Sequence, residues 1–155
     1  MMNLAALFPE ARIVATELNP KTCEVLKKNA ATQPERKIEA KCGNGVDAIF
    51  AGDDWSVVYL DPPWGGRDYK TAAAGIDLKL TDQAGKEWSM AALIKETFEK
   101  KKAEMFVLKI PNNYSGEGDI RRAASVKTCD VHLTQPSGAL GKVSYRLLVV
   151  TPKKE

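Results

Sequence analysis

The chain has 155 residues, 44% of them apolar and 28% charged, which suits one domain with a buried core and excludes a disordered segment. Its 23 lysines and arginines against 20 aspartates and glutamates leave +3, a balance that permits a polyanionic partner without demanding one. No apolar run approaches the roughly 18 residues of a membrane span, and no charged-then-apolar leader opens the chain. Three scattered cysteines, Cys23, Cys42 and Cys129, and a single histidine, His132, make no metal set. The expectation is therefore an intracellular, metal-free, single domain over 1–155 whose cysteines are buried, reduced thiols.

In chain order, "RIVATEL" is β-branched and apolar with no helical cap, and predicts a strand. Asn19 followed by Pro20 then reads as N-cap and first helical residue, with Cys23, Leu26 and Ala30 at helical spacing, so a helix should run over about 20–31. "KIEAKCG", "SVVYLDP" and "EMFVLKIP" are further short strand-like runs. Between the last two, Trp88, Ala91, Ile94 and Phe98 fall on one face of a helix predicted over roughly 86–102, whose Lys100, Lys101 and Lys102 suit its negative C-terminal end as solvated charges. A short helix near about 119–125 leads into "VKTCDVHLTQP" and "VSYRLLVVTP", which the Gly- and Ser-containing "SGALGK" joins as an antiparallel hairpin. Strand and helix alternate until that hairpin, so the fold class is α/β with a largely parallel sheet covered on both faces.

Ligands of open α/β sheets sit beyond the carboxyl ends of the strands, which directs attention to two of them. Glu17 closes the first strand, where an acidic side chain can accept hydrogen bonds from both hydroxyls of a ribose. The other end is "DPPW", Asp61 to Trp64. Two prolines fix φ and donate no N–H, so they hold the Asp61 carboxylate and the Pro62 carbonyl outward as acceptors only. Such a corner receives an amino group. An exocyclic amine on a base is a poor nucleophile because its lone pair is delocalised into the ring; two acceptors holding its hydrogens pyramidalise the nitrogen and aim the lone pair at an electrophilic methyl. Trp64 adds a flat face for the ring.

These residues resemble the [DN]-P-P-[YFW] signature of class I S-adenosylmethionine-dependent amino-methyltransferases. The longer string "PPWGGRDYKTA", with Ile76 and Asp77 after it, is similar to a narrower group, the trimethylguanosine synthase family, which methylates the guanine 2-amino group of a 7-methylguanosine RNA cap. The resemblance implies a Rossmann-like methyltransferase sheet, S-adenosylmethionine as cofactor and capped RNA as partner. It makes "ATELNP", with Glu17 and Leu18, the ribose-binding segment and "CGNGVDAIF", with Gly43 and Asn44, the adenine-binding one, Asp61 and Pro63 also lying by the cofactor. Asp61 and Pro62 would take the amine hydrogens, Trp64 would stack on the cationic guanine, and Tyr69 and Asn112 would border the same pocket. Arg67, Lys70 and Lys79 would meet the cap phosphates.

The sequence departs from the family in two places. The first strand and the glycine-rich loop that open the family's domain have no counterpart before Ile13, since no glycine precedes Gly43. The expectation is an N-terminally incomplete domain, or one whose sheet is completed by another chain. Where the family commonly has Asp, Asn44 stands; its amide oxygen can still accept from the adenine amine, with Asp47 as fallback. Two rival readings share the motif. An adenine-N6 nucleic-acid methyltransferase uses DPPW in the same way, although "GGRDY" favours the cap enzyme. A non-catalytic RNA-binding or scaffolding subunit would fit the missing loop but not the intact Glu17 and Asp61.

Overall fold

The computed structural model describes residues 8–52, 54–64, 75–134 and 140–153, with the side chains of 133–134 and 140–144 excepted. The chain divides into two compact units, Met1–Ala51 and Gly52–Glu155.

In the first unit, β1 (Ile13–Glu17) leads through α1 (Pro20–Ala31) to β2 (Ile38–Cys42), followed by α2 (Gly45–Ala51). The start of α1 follows its sequence signal: Asn19 is extended, its side chain accepts from the amides of Lys21 and Thr22, and Pro20 stands where no amide is needed. β1 and β2 pair in parallel from Ile13 opposite Ile38 to Glu17 opposite Cys42. That register brings the ends of the two strands level. Cys23, in the first turn of α1 and fully buried, is joined by a disulfide to Cys42, with Cα atoms 5.5 Å apart. Cys129 is free and exposed. The expectation of three buried thiols is therefore corrected: the return of α1 over β2 creates a pairing geometry that a 19-residue separation in the sequence does not announce. The short helix α2 had no place in the sequence reading.

In the second unit the elements are β3 (Val58–Leu60), β4 (Lys79–Thr81), β5 (Glu87–Ser89), α3 (Met90–Glu99), β6 (Phe106–Ile110), α4 (Glu117–Ala123), β7 (Ser125–Thr134) and β8 (Leu140–Thr151). Four of the strands form a sheet in the order β3-β6-β8-β7. β3 and β6 are parallel, whereas β6–β8 and β7–β8 are antiparallel, so the expected closing hairpin is present. The class is mixed α/β with parallel pairing. The expected predominance of parallel strands is corrected: among the described residues the two parallel ladders are short, and the antiparallel ones, with β4–β5, make up the rest.

Burial follows period two along β6, where Phe106, Leu108 and Ile110 are fully buried while Val107 and Lys109 alternate onto the other face. Leu148 and Val150 of β8, Met90, Leu93 and Ile94 of α3, and Ile120 of α4 are likewise fully buried, and Val58, Leu78, Trp88 and Tyr114 are buried as well. The helix predicted over about 86–102 is shorter. Trp88 belongs to β5, paired opposite Leu80, and the helix begins after Ser89, whose hydroxyl accepts from the Ala92 amide. At its C-terminal end Lys101 takes a positive φ of 53°, Lys100 pairs with Glu96, and Lys102 donates to the Gly52 carbonyl at 2.9 Å. Lys102 is thus a tether rather than a solvated charge.

Candidate active site

The strand ends of the first unit are held together by backbone: the Gly43 amide donates to the Glu17 carbonyl at 3.0 Å. The Glu17 carboxylate accepts from the Asn19 amide through Oε1 at 2.8 Å, which fixes its direction and leaves further acceptor capacity on both oxygens. Leu18 beside it is 67% exposed. Asn44 Oδ1 accepts from the Val46 amide at 2.9 Å, so the side chain that stands in for the family's Asp also starts α2. Asp47 lies in the first turn of that helix. A Cβ at Gly43 would meet nothing within 4 Å, and open space beside backbone at a strand end, next to an oriented carboxylate, fits a nucleoside. The residues present therefore suit the adenosine part of S-adenosylmethionine.

In the second unit, Asp61 follows β3 immediately, with Pro62 buried and Pro63 exposed after it, and no described peptide bond is cis. The parallel register that pairs Leu60 with Leu108 continues to set Asp61 beside Lys109. Lys109 Nζ donates to Asp61 Oδ2 at 2.8 Å. The same ammonium lies 5.3 Å from the centre of the Trp64 ring and 5.1 Å from that of Tyr145. Asp61 holds the Lys109 ammonium above the ordinary lysine value, against partial burial that pushes it down. Partial burial, reinforced by the Asp61 charge, pushes the Tyr59 hydroxyl up. Acceptor, platform and cation are thus gathered at one strand end. The sequence reading found the first two and missed Lys109, whose partner is 48 residues away; the signal available was a lysine at an outward position of a core strand.

Asn112, expected near the same pocket, follows β6, and its carbonyl accepts from Arg146 Nη2 at 3.2 Å. Arg146 Nη1 pairs with Glu117 Oε2 at 2.8 Å, and Glu117 Oε1 pairs with Arg121. Burial pushes the Glu117 carboxyl up, but Arg121 and Arg146 together hold it below its ordinary range. Nearby, Ile76 donates to the Asn113 carbonyl at 2.9 Å and accepts from the Ser115 amide at 3.0 Å, which fixes the chain where it re-enters the described structure. Gly75 has φ of +79° there, and a Cβ would stand 3.0 Å from Ser115 Cβ and 3.1 Å from the Asn113 carbonyl, so only glycine fits. Burial, with Asp77 and Glu117 adding to it, pushes the Tyr114 hydroxyl far up, which keeps it neutral.

Arg67, Tyr69 and Lys70 lie outside the described residues. Lys79 is described: it pairs with Glu87 across β4–β5 at 2.7 Å, which raises its pKa. Among the described residues no group of three His, Cys, Asp or Glu side chains could hold a metal ion, and no helix is long and apolar enough to cross a membrane.

Compared with known proteins, residues 1–138 match the model of a family described as RNA cap guanine-N2 methyltransferase. An uncharacterized protein of Acanthamoeba polyphaga mimivirus is 28% identical over 116 residues, which cover 74% of this chain and 42% of the viral protein. The chain thus spans less than half of that relative's length.

Proposed function

Because the chain belongs to the RNA cap guanine-N2 methyltransferase family, we propose that it transfers a methyl group from S-adenosylmethionine to the exocyclic 2-amino group of a 7-methylguanosine cap. The observation that carries this reading is Asp61 at the exit of β3, followed by Pro62, Pro63 and Trp64. The fold that goes with it is a Rossmann-like methyltransferase sheet. Its support is that β1 pairs only with β2 and β3 only with β6 among the described residues. Each then has an edge for one more strand, which the reading assigns to a segment or partner chain bearing the glycine-rich cofactor loop.

S-adenosylmethionine, when bound, supplies a methyl carbon made electrophilic by its sulfonium. Glu17 grips the ribose hydroxyls, with Leu18, Gly43, Asn44 and Pro63 lining the cofactor. Trp64 stacks on the 7-methylated guanine, whose positive charge adds a cation–π contribution of about 0.5–2 kcal/mol to plain stacking. Asp61 and the Pro62 carbonyl take the two amine hydrogens and turn the nitrogen lone pair toward the methyl. With the cofactor held there, the amine nitrogen would take the methyl group from the sulfonium sulfur, leaving a neutral thioether, and would lose one proton to solvent. Tyr69 and Asn112 border the base, and Arg67 and Lys70 meet the cap phosphates.

The test is a competition among three acceptors in the presence of methyl-labelled S-adenosylmethionine: a 7-methylguanosine-capped dinucleotide, its unmethylated counterpart and an adenine-bearing oligonucleotide. The reading expects label on the first. Label on adenine alone would replace it with an adenine-N6 methyltransferase. Binding of the methylated cap with no transfer to any acceptor would replace it with a non-catalytic RNA-binding subunit.

A further inference from the structure

Lys109 has no role in the reading above, yet it touches two of its principal residues. Its ammonium donates to Asp61 Oδ2 at 2.8 Å and stands 5.3 Å from the Trp64 ring. Its stem is held by β6, whose neighbours Leu108 and Ile110 are fully buried, so the position is set by the core. Among the described residues, the titratable groups that face the ammonium are Asp61 and Tyr59 from the β3 segment and Tyr145 from β8.

Two consequences follow from charge and geometry. First, a carboxylate that must accept amine hydrogens has to be oriented. An ammonium on one oxygen holds it while the remaining acceptor positions stay available. Second, the platform has to receive a cationic base beside a lysine. An isolated ammonium a few ångströms from Trp64 would repel such a base and compete for the ring face, whereas a lysine neutralised by Asp61 repels it far less. We propose that Lys109 is the counter-ion of the site, a positioning residue that keeps the Asp61 carboxylate aimed and, as half of a neutral pair, lets Trp64 accept a cationic base. This rests on the amine-methylation reading, but its first test does not.

That test is carbon-13 NMR titration of the Lys109 ε-carbon in the full chain, assigned with Lys109→Arg, for wild type, Asp61→Asn and Asp61→Glu. Asp61→Asn should lower the Lys109 midpoint, because the carboxylate that favours the ammonium is gone, and Asp61→Glu should restore it. An unmoved midpoint in a folded Asp61→Asn protein overturns the proposal. So does a midpoint as low in Asp61→Glu as in Asp61→Asn.

The second measurement uses quenching of tryptophan fluorescence by 7-methylguanosine and guanosine nucleotides. Asp61→Asn leaves the ammonium uncompensated, so it should weaken the methylated ligand about threefold or more relative to the unmethylated one, and adding Lys109→Met should remove that difference. Equal loss for both ligands overturns the charge-pair role. If the Lys109 midpoint responds to Asp61 as stated while the wild type methylates only adenine, the counter-ion stands and the cap reading falls.

Discussion

In the proposed reading Trp64 carries the base, and its worth depends on the charge of what it receives. Substituting Trp64→Ala should cost about 1–3 kcal/mol in stacking, with a further cation–π loss of roughly 0.5–2 kcal/mol confined to the 7-methylated ligand. Calorimetric titration of Trp64→Ala with 7-methylguanosine and guanosine nucleotides checks this, and an equal loss for both would show that the ring does not sense the charge. The placement of Asp61, Pro62, Pro63 and Trp64 at the exit of β3 was legible because the signal is local, four consecutive residues after a strand-like run. The pairing of Lys109 was not, because its partner is 48 positions away across a parallel pairing. The pairing of Lys79 with Glu87 on the facing strand was hidden for the same reason.

Among the elements, α1 was readable to its ends because Asn19 and Pro20 state its start in the sequence itself. The helix predicted to begin near about 86 was overextended because Trp88 stands at helical spacing from Ala91 and Ile94, a coincidence that the cap at Ser89 overrides. The hairpin β4–β5 and its bond from Trp88 Nε1 to Asp82 Oδ2, 3.0 Å, escaped notice with it. Two predictions belong at this scale. Glu117 ties α4 to β8 through Arg146, and its carboxyl lies below the ordinary 4.5. A depressed carboxyl contributes stability that is fully present above that ordinary value and is lost as pH falls through the lower native one. Glu117→Gln should therefore lower thermal stability at neutral pH, by about 1.5–3 kcal/mol, and flatten the decline of the melting temperature in acid. An acid limb as steep as that of wild type would count against the tether. The pairing of Cys23 with Cys42 is checked by thiol titration of the denatured, unreduced chain, which should find Cys129 alone. Closing a loop of that length is worth about 3 kcal/mol by chain entropy, so reductant should lower the melting temperature, and three reactive thiols before reduction would refute the bond.

For the molecule as a whole, the mixed α/β class and the closing antiparallel hairpin were expected from the order of strand-like and helical runs, and both are present. The separate two-stranded β4–β5 sheet was not, because pairing partners are chosen by contacts that no short run of sequence records. Membership in the cap guanine-N2 methyltransferase family gives the chemistry its context. Cofactor use is tested through Glu17: Glu17→Ala should weaken S-adenosylmethionine or its demethylated product by roughly 1.5–3 kcal/mol in calorimetry, the range of a hydrogen bond to a charged group. The most direct measurement of the central claim is the position of the new methyl group. A 7-methylguanosine-capped dinucleotide is incubated with the protein and S-adenosylmethionine, and the product is digested and read by tandem mass spectrometry. A methyl on the guanine 2-amino nitrogen, absent with Asp61→Ala, is the result this account predicts; a methyl on any other atom, or one formed equally well by Asp61→Ala, would contradict it.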